Sequence, residues 1–319
     1  MSQPKYSVVV PVYNRPIELA ELLESLAKQT YTDFEVLVVE DGSSVRSEEV
    51  YQQFAGKLRI QYFYKPNTGP GPSRNFGFEN ARGDYFVVFD SDCILPPDYF
   101  SLVEDYLKKN PLEAWGGPDR GHESFSPLQQ AMAYTMSSVL TTGGIRGGKN
   151  QADKFQPRSF NMGISRKVWE ATGGFKFDRL AEDIELSIRI RKAGFSIGLI
   201  PEAFVYHKRR TELSQFFRQV QGFGRGRVRV GKVHPTEIKP VHWLPSLVLL
   251  DFLLMPVVLI INRPLALVGY TFYFVYWLAL MVDCFMKTNS IPAAILSVPS
   301  AMVQFFGYGW GFLKEIVKK

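Results

Sequence analysis

The sequence predicts an α/β protein with a mostly parallel sheet, followed by an apolar C-terminal region. Three observations point there. Short runs rich in β-branched residues alternate with helical patterns through the first third of the chain, which is how β-α-β units read. Acidic residues sit where two apolar runs end, in Val38-Val39-Glu40-Asp41 and in Val88-Phe89-Asp90, and open sheets of this class place their sites at strand ends. From Trp243 onward the texture changes to long apolar stretches with few charges.

Tyr6 to Val10 reads as the first strand. Leu19, Leu22, Leu23 and Leu26 then recur at i, i+3, i+4 and i+7, an amphipathic helix after the Asn14-Arg15-Pro16 turn. Phe34 to Val39 is the second strand, Leu58 to Tyr64 the third, and Asp84 to Phe89 the fourth. Pro72 to Ala81 reads as a helix opening after a Gly-Pro loop. Between Trp115 and Asn161 the pattern weakens, and the glycine doublets of Thr141 to Gly148 suit either a mobile loop over the site or a plain connector. Ile184, Leu186, Ile188 and Ile190 alternate with polar residues, which by periodicity argues for a strand. The absence of Gly and Pro from Glu182 to Ala193, with Ile184 and Ile188 spaced i, i+4, keeps a helix open.

With 319 residues the chain can form one large domain or two smaller ones around a real core. Hydrophobic residues make up 46% and charged residues 21%, which argues against a disordered chain. The net charge of +6 is concentrated between His207 and His242, where Lys208, Arg209, Arg210, Arg218, Arg225, Arg227, Arg229, Lys232 and Lys239 oppose only Glu212 and Glu237. That stretch reads as a membrane-surface patch or as a solvated or nucleic-acid-binding face, and the apolar tail directly after it favours the membrane. Cys93 and Cys284 are the only cysteines, so no disulfide framework is implied and a reducing compartment fits. Met1 to Tyr6 lacks the basic flank and apolar stretch of a signal peptide, and the front of the chain is expected not to be exported.

Trp243 to Ile261 and Pro264 to Val282 each approach the ~20 residues that span a bilayer core. Asp251 is the only charge inside the first, and Asn262-Arg263 joins the two as a hairpin. Ile291 to Phe312 is interrupted by Pro292, Pro299, Gln304 and three glycines, and is open to spanning, re-entering or lying on the surface.

The residues that carry chemistry are acidic. Asp90-Ser91-Asp92 sets two carboxylates two residues apart where a buried strand ends, a hard-oxygen site for a divalent cation and the diphosphate it carries. Its plain alternative, a surface turn, leaves the mutual repulsion of the two acids without purpose. Glu182-Asp183 is a second acidic pair, downstream of Thr172-Gly173-Gly174-Phe175. A metal-binding pair plus a separate acid is what a sugar-nucleotide transferase needs, one to stabilise the departing diphosphate and the other to activate the incoming group.

The first 210 or so residues resemble a glycosyltransferase family 2 catalytic domain. The matching pieces, in order, are Ser7 to Asn14 (SVVVPVYN), Val38 to Ser44 (VVEDGSS), Asn67-Thr68-Gly69 with Ser73-Arg74-Asn75, Asp90-Ser91-Asp92, and Glu182-Asp183. The resemblance implies the GT-A nucleotide-diphosphosugar transferase fold and a helix at Glu182. It implies that Asp41 accepts a hydrogen bond from the nucleotide base, where the alternative is a turn-forming Asp. Pro11 and Tyr13 would line the base pocket, Glu40 and Ser91 would lie on the donor side, and Arg74 would counter phosphate or base oxygens. Asp90 and Asp92 would hold Mn²⁺ or Mg²⁺, with His207 either completing the metal shell or serving a structural role. Asp183 would be the general base and Glu182 its acceptor-side neighbour. Gln215 to Val230 resembles the amphipathic interfacial segment of membrane-attached members, but Gln219-Val220-Gln221-Gly222-Phe223 lacks the Gln-x-x-Arg-Trp pattern of processive synthases.

The expected organisation is a GT-A catalytic domain over 1–210, an amphipathic basic segment over 211–242 and a membrane region of two or three helices over 243–319. The expected activity is inverting transfer of one sugar from a nucleotide-diphosphate donor to a hydroxyl of a lipid-linked or membrane-proximal glycan, with no nucleic-acid partner. The alternatives are a polyprenyl-phosphate sugar synthase and a non-catalytic basic protein that binds membrane or nucleic acid. The chain is expected in the cell (inner) membrane with its catalytic domain cytoplasmic, where basic juxtamembrane residues collect. Three spans would put Lys314, Lys318 and Lys319 outside, so two spans are expected, with Ile291 to Phe312 in the interface or re-entrant.

Overall fold

The computed structural model describes residues 3–120, 125–143, 155–207 and 210–318. The expected loop of Thr141 to Gly148 lies outside them from Gly144 on, as do Lys208 and Arg209. The described residues form two compact units, one of 3–120 and 155–207, the other of 125–143 and 210–318.

The first unit contains β1 (Tyr6–Val12), α1 (Pro16–Ala27), β2 (Phe34–Asp41), α2 (Glu48–Phe54), β3 (Ile60–Lys65), α3 (Pro70–Asn80), β4 (Tyr85–Phe89), β5 (Cys93–Ile94), α4 (Tyr99–Lys109), β6 (Ala114–Gly116) and β7 (Asp119–Arg120). Its second unit partner in sequence contributes α5 (Pro127–Ser137) and α6 (Val139–Thr142). The first unit then resumes with β8 (Asn161–Ser165), α7 (Arg166–Thr172), α8 (Glu182–Lys192), β9 (Ile197–Leu199) and β10 (Val205–His207). One sheet has the order β3-β2-β1-β4-β8-β6-β9, and a smaller one has β5-β10-β7. β1 to β4 are mutually parallel, whereas β8 runs antiparallel to both β4 and β6.

The central strands are buried on both faces, as parallel strands under helices must be. Val8, Val10, Val36, Val38 and Phe89 face the leucines of α1 and the aromatics of α4. Val9, Leu37, Val39, Phe86 and Val88 face Phe78 of α3, Val168 of α7, and Leu186 and Ile190 of α8. β1 lies between β2 and β4, so the chain switches direction across it, and the crevice at the carboxyl ends of these strands is where such sheets bind ligands.

Most boundaries fall within two residues of the expected ones. β2 continues to Asp41, and α3 opens at Pro70, whose fixed φ suits the first turn. α8 is a helix despite the alternation of its isoleucines. Every residue from Glu182 to Ile188 is buried, so apolar side chains are accepted all round and the usual one-sided stripe disappears.

The second unit continues with α9 (Leu213–Val233), two short 3₁₀ turns, α10 (Leu244–Ile261), α11 (Arg263–Thr288) and α12 (Ile291–Ile316). Three helices, Pro240–Ile261, Arg263–Thr288 and Ile291–Ile316, are long and apolar enough to cross a membrane, and their apolarity falls in that order.

Gly163 of β8 lies against Trp115, and a Cβ there would run into the buried indole ring. Gly163→Ala is expected to destabilise the protein by about 1–3 kcal/mol through overpacking, read as a lowered denaturant midpoint of the purified chain. An unchanged midpoint would mean that the Trp115 layer repacks freely.

Candidate active site

Two loops at the carboxyl ends of β1 and β2 are locked together by Asn14. Its φ of 54° is left-handed, a conformation that Asn tolerates better than most residues. Its Oδ1 accepts from the backbone N–H groups of Ser44 at 2.9 Å and Val45 at 3.0 Å, and its own N–H donates to Ser43 Oγ at 2.8 Å. Glu40 lies under the same turn, fully buried, where it accepts from Ser43 Oγ, from Ser47 N at 2.8 Å and from the Tyr62 hydroxyl at 3.2 Å. These bonds tie the turn after β2 to Glu40. Asp41 accepts from Lys65 Nζ at 2.6 Å, Thr68 N at 2.9 Å and Gly69 N at 2.9 Å. Burial pushes its carboxyl up, but the bonds from Lys65, Thr68 and Gly69 outweigh burial and hold it below the ordinary value. Pro11 is partly buried beside these loops in sequence, and Tyr13 is half exposed.

Arg74 of α3 ties the two acidic motifs together. It is 2% exposed, and its guanidinium donates to Asp90 Oδ1 and to Glu182 Oε1, each at 2.8 Å, while lying 5.3 Å from the centroid of the Phe175 ring. Arg74, expected from the sequence to counter phosphate or base oxygens, thus bridges the two carboxylates. Asn75 positions the next turn, donating to the Phe175 carbonyl and accepting from the Phe175 N–H, both at 2.8 Å. Glu182 also accepts from Ser159 Oγ at 3.2 Å. Burial pushes Glu182 up to about 7; Arg74 pulls it down, and the neighbouring Asp183 adds to the rise.

Asp183 lies in the first turn of α8, where the helix N-terminus favours negative charge. Its Oδ1 accepts from Ile184 N at 2.8 Å, and its Oδ2 is approached by Ser159 N at 3.4 Å and Arg158 Nη1 at 3.7 Å. The turn into α8 runs through Ala181 at φ 59°, a left-handed conformation unusual for a residue with a Cβ.

Asp92 and His207 meet because β5 and β10 pair antiparallel with His207 opposite Cys93. His207 Nε2 lies 3.2 Å from Asp92 Oδ1, Arg15 bonds Asp92 Oδ2, and the Phe160 ring stacks on the imidazole at 4.9 Å. Burial pushes Asp92 up, but His207 and Arg15 together hold it well below the usual carboxylate range. Ser91 is buried between the two aspartates, and the Asp90 side chain is a third exposed. Donor atoms of Asp92, Cys93 and His207 lie within 4.8 Å of one another. Cys93 is a poor ligand, since burial pushes its thiol up and its Sγ donates to the Phe160 carbonyl at 3.5 Å. A carboxylate and an imidazole, with Asp90 nearby in sequence, remain a donor set that fits a divalent first-row ion.

Four residues of this constellation were not singled out from the sequence. Arg15 had a signal, a cation in the turn after β1, and so did Lys65, next to Asn67-Thr68-Gly69. Ser159 and Arg158 had none, since they fall where the periodic pattern fades.

Residues 7–169 match the family model for glycosyl transferase family 2. The chain belongs to this family. It is 38% identical over 106 residues to a glycosyltransferase of Rickettsia felis, covering 33% of this chain and 18% of that one. It is 26% identical over 234 residues to the probable glycosyltransferase YdaM of Bacillus subtilis, covering 70% of this chain and 55% of the relative. The chain therefore spans less than two thirds of either relative. Its fold is GT-A: it aligns over its full length, and over 89% of the other chain, with the mannosyltransferase PcManGT of Pyrobaculum calidifontis, described in complex with GDP-Man and Mn²⁺, at a TM-score of 0.60 and 18% identity.

Arg74→Met leaves two carboxylates facing each other without their cation. It is expected to destabilise the enzyme by about 3–5 kcal/mol, read from denaturant melts, because breaking a buried pair strands its partner. A near-neutral melt would show that Glu182 is held by Ser159 alone.

Glu182 also sets a pH dependence. A carboxyl raised from 4.5 to about 7 binds its proton more tightly folded than unfolded, so that stabilisation is full below 4.5 and is lost as pH rises through about 7. The stability difference between the native enzyme and Glu182→Gln is therefore expected to turn against the native enzyme between those pH values and to level off above. A difference that does not change with pH would contradict it.

Proposed function

We propose that this family 2 enzyme is an inverting glycosyltransferase that moves one sugar from a nucleoside-diphosphate sugar to a hydroxyl of a lipid-linked or membrane-proximal glycan. The observation that carries this reading is the Arg74 clamp, which sets Asp90 and the Glu182-Asp183 turn at one crevice. On this reading a donor site and a proton acceptor lie side by side.

On this reading Pro11, Tyr13 and Asp41 form the base end of the donor site. Asp90, Asp92 and His207 would hold Mn²⁺ or Mg²⁺, which when bound supplies positive charge to the diphosphate as it leaves. Glu182, near neutrality in its titration, keeps Arg74 oriented and shapes the acceptor side. Asp183 takes the proton: Oδ1 is engaged by Ile184 N, so Oδ2, with only long contacts, is the oxygen for it. As the acceptor oxygen bonds to the anomeric carbon, the bond from that carbon to the diphosphate breaks on the opposite side, and the configuration inverts. An acceptor phosphate would arrive already ionised and would have no use for such a base. A hydroxyl acceptor is favoured for that reason.

The domain reading follows: catalysis over 1–210, a basic interfacial segment over 211–242, and membrane attachment through 243–319, with the catalytic side facing the cytoplasm. The three apolar helices and the arginines of α9 support attachment.

Asp183→Asn is expected to lower transfer by about 10²-fold or more while donor affinity stays close to native, because only proton removal is lost. Release of nucleoside diphosphate and donor binding, measured on the same preparations across a panel of sugar nucleotides, separate the two. A parallel loss of binding and turnover would make Asp183 a donor-site residue. Excess chelator should abolish donor turnover and added Mn²⁺ or Mg²⁺ restore it, whereas full activity in chelator would remove the metal from the account.

A further inference from the structure

The geometry points to a two-crossing arrangement: α10 and α11 traverse the bilayer, and α12, although apolar and long enough to cross, lies along the anionic membrane surface on the catalytic side. This rests on the membrane attachment proposed above. The inference comes from the two helices that hold the ends of α12.

The C-terminal half of α12 lies alongside α9, running the same way. Gly307 sits against Phe217 and Val220, Gly311 against the Gln221 carbonyl, and Gly224 against the Tyr308 carbonyl, so glycines let the two backbones touch. Beyond them Glu315 is bonded by Arg225 Nε at 2.9 Å and Arg229 Nε at 3.1 Å, and Lys232 Nζ donates to the Lys318 carbonyl at 3.0 Å. A helix carrying Arg218, Arg225, Arg227, Arg229 and Lys232 does not cross a bilayer, since each such charge at the centre costs about 2.5–3.5 kcal/mol or more. α9 therefore stays on the side from which it departs, which is the catalytic side, and the end of α12 stays with it.

The N-terminal end of α12 is held by α5. Tyr134 of α5 packs in one apolar cluster with Leu280 and Cys284 of α11 and Ala293 and Ala294 of α12. Its hydroxyl donates to the Leu280 carbonyl at 3.2 Å and to Asp283 Oδ2 at 2.6 Å, and Ser138 Oγ reaches the same oxygen at 3.2 Å. α5 has 11 residues, about 16 Å of helix against a core of about 30 Å, and it interrupts the catalytic sequence. It cannot cross, so the end of α11 and the start of α12 are also on the catalytic side.

A helix with both ends on one side does not traverse. Consistently, 39% of the α12 window is buried within the protein against 11% for each of the other two. α10 starts beside α12, where Ser246 Oγ donates to the Gly309 carbonyl at 3.2 Å, and α10 and α11 then form a hairpin turning at Asn262. The partner of this surface is a bilayer with anionic headgroups, to which exposed Arg218 and the tail lysines are complementary.

The test uses the full-length enzyme in cells, with a single added cysteine at Glu79→Cys on exposed α3, at Arg263→Cys in the hairpin turn, or after Lys319. The parent chain, whose Cys93 and Cys284 are buried, is the labelling control. With a membrane-impermeant maleimide applied to intact and then permeabilised cells, the Glu79 and tail positions should become reactive together and the Arg263 position in the opposite state. An epitope appended after Lys319, read by antibody in the same two states, covers a cysteine variant that misfolds. A tail that reacts with the Arg263 position overturns the inference and makes α12 a third crossing. All three first becoming reactive in the same state overturns it differently, by removing the membrane attachment on which it rests.

Discussion

One buried guanidinium organises the first unit. Arg74 is taken out of water on α3 and must be compensated there, and it finds its compensation in Asp90 at the end of β4 and Glu182 at the start of α8. Those acids are 92 residues apart in sequence, and without a shared cation between them their proximity would be repulsive. The clamp also accounts for the local backbone. The chain enters α8 through a left-handed Ala181, a strained conformation that persists only when its surroundings determine it, and Arg74, Ser159 and the helix N-terminus do so. Asp183 directly follows Glu182 in the chain, and its position is a consequence of the clamp.

The strands and the acidic motifs were legible in the sequence because each reflects a local rule. β1, β2 and β4 are apolar runs rich in β-branched residues and buried nearly throughout, and Glu40-Asp41 and Asp90-Ser91-Asp92 lie at the carboxyl ends of β2 and β4, where a doubly wound sheet opens its crevice. What was not legible depends on partners distant in the chain. β5, β7, β9 and β10 have two or three residues each and no period to read, yet the β5–β10 pairing is what brings His207 to Asp92. The chemistry of Arg74 was visible as a cation near anions, but whether it would face phosphate or carboxylate depends on the α8 turn. Glu40 shows the same limit: the turn it closes onto Ser43 and Ser47 is a matter of backbone geometry that no local pattern announces.

In the second unit the glycines carry information that composition hides. In α9 and α12 they read as helix breakers, each costing up to about 1 kcal/mol relative to Ala, but Gly224 of α9 and Gly307 and Gly311 of α12 lie where the two helices approach closely. Packing recovers what propensity loses. Glu315 then receives two arginines of α9, so part of the basic stretch that reads as a lipid-facing patch is spent within the protein.

Transfer to a hydroxyl with inversion leaves its record in the chemistry of the product. The purified full-length enzyme would be given the sugar nucleotide it consumes and a membrane fraction containing its acceptor, and the linkage of the product determined by NMR and by its stability to mild acid. The account predicts an acid-stable glycoside whose anomeric configuration is opposite to that of the donor. An acid-labile sugar phosphate, or a glycoside of retained configuration, would contradict it.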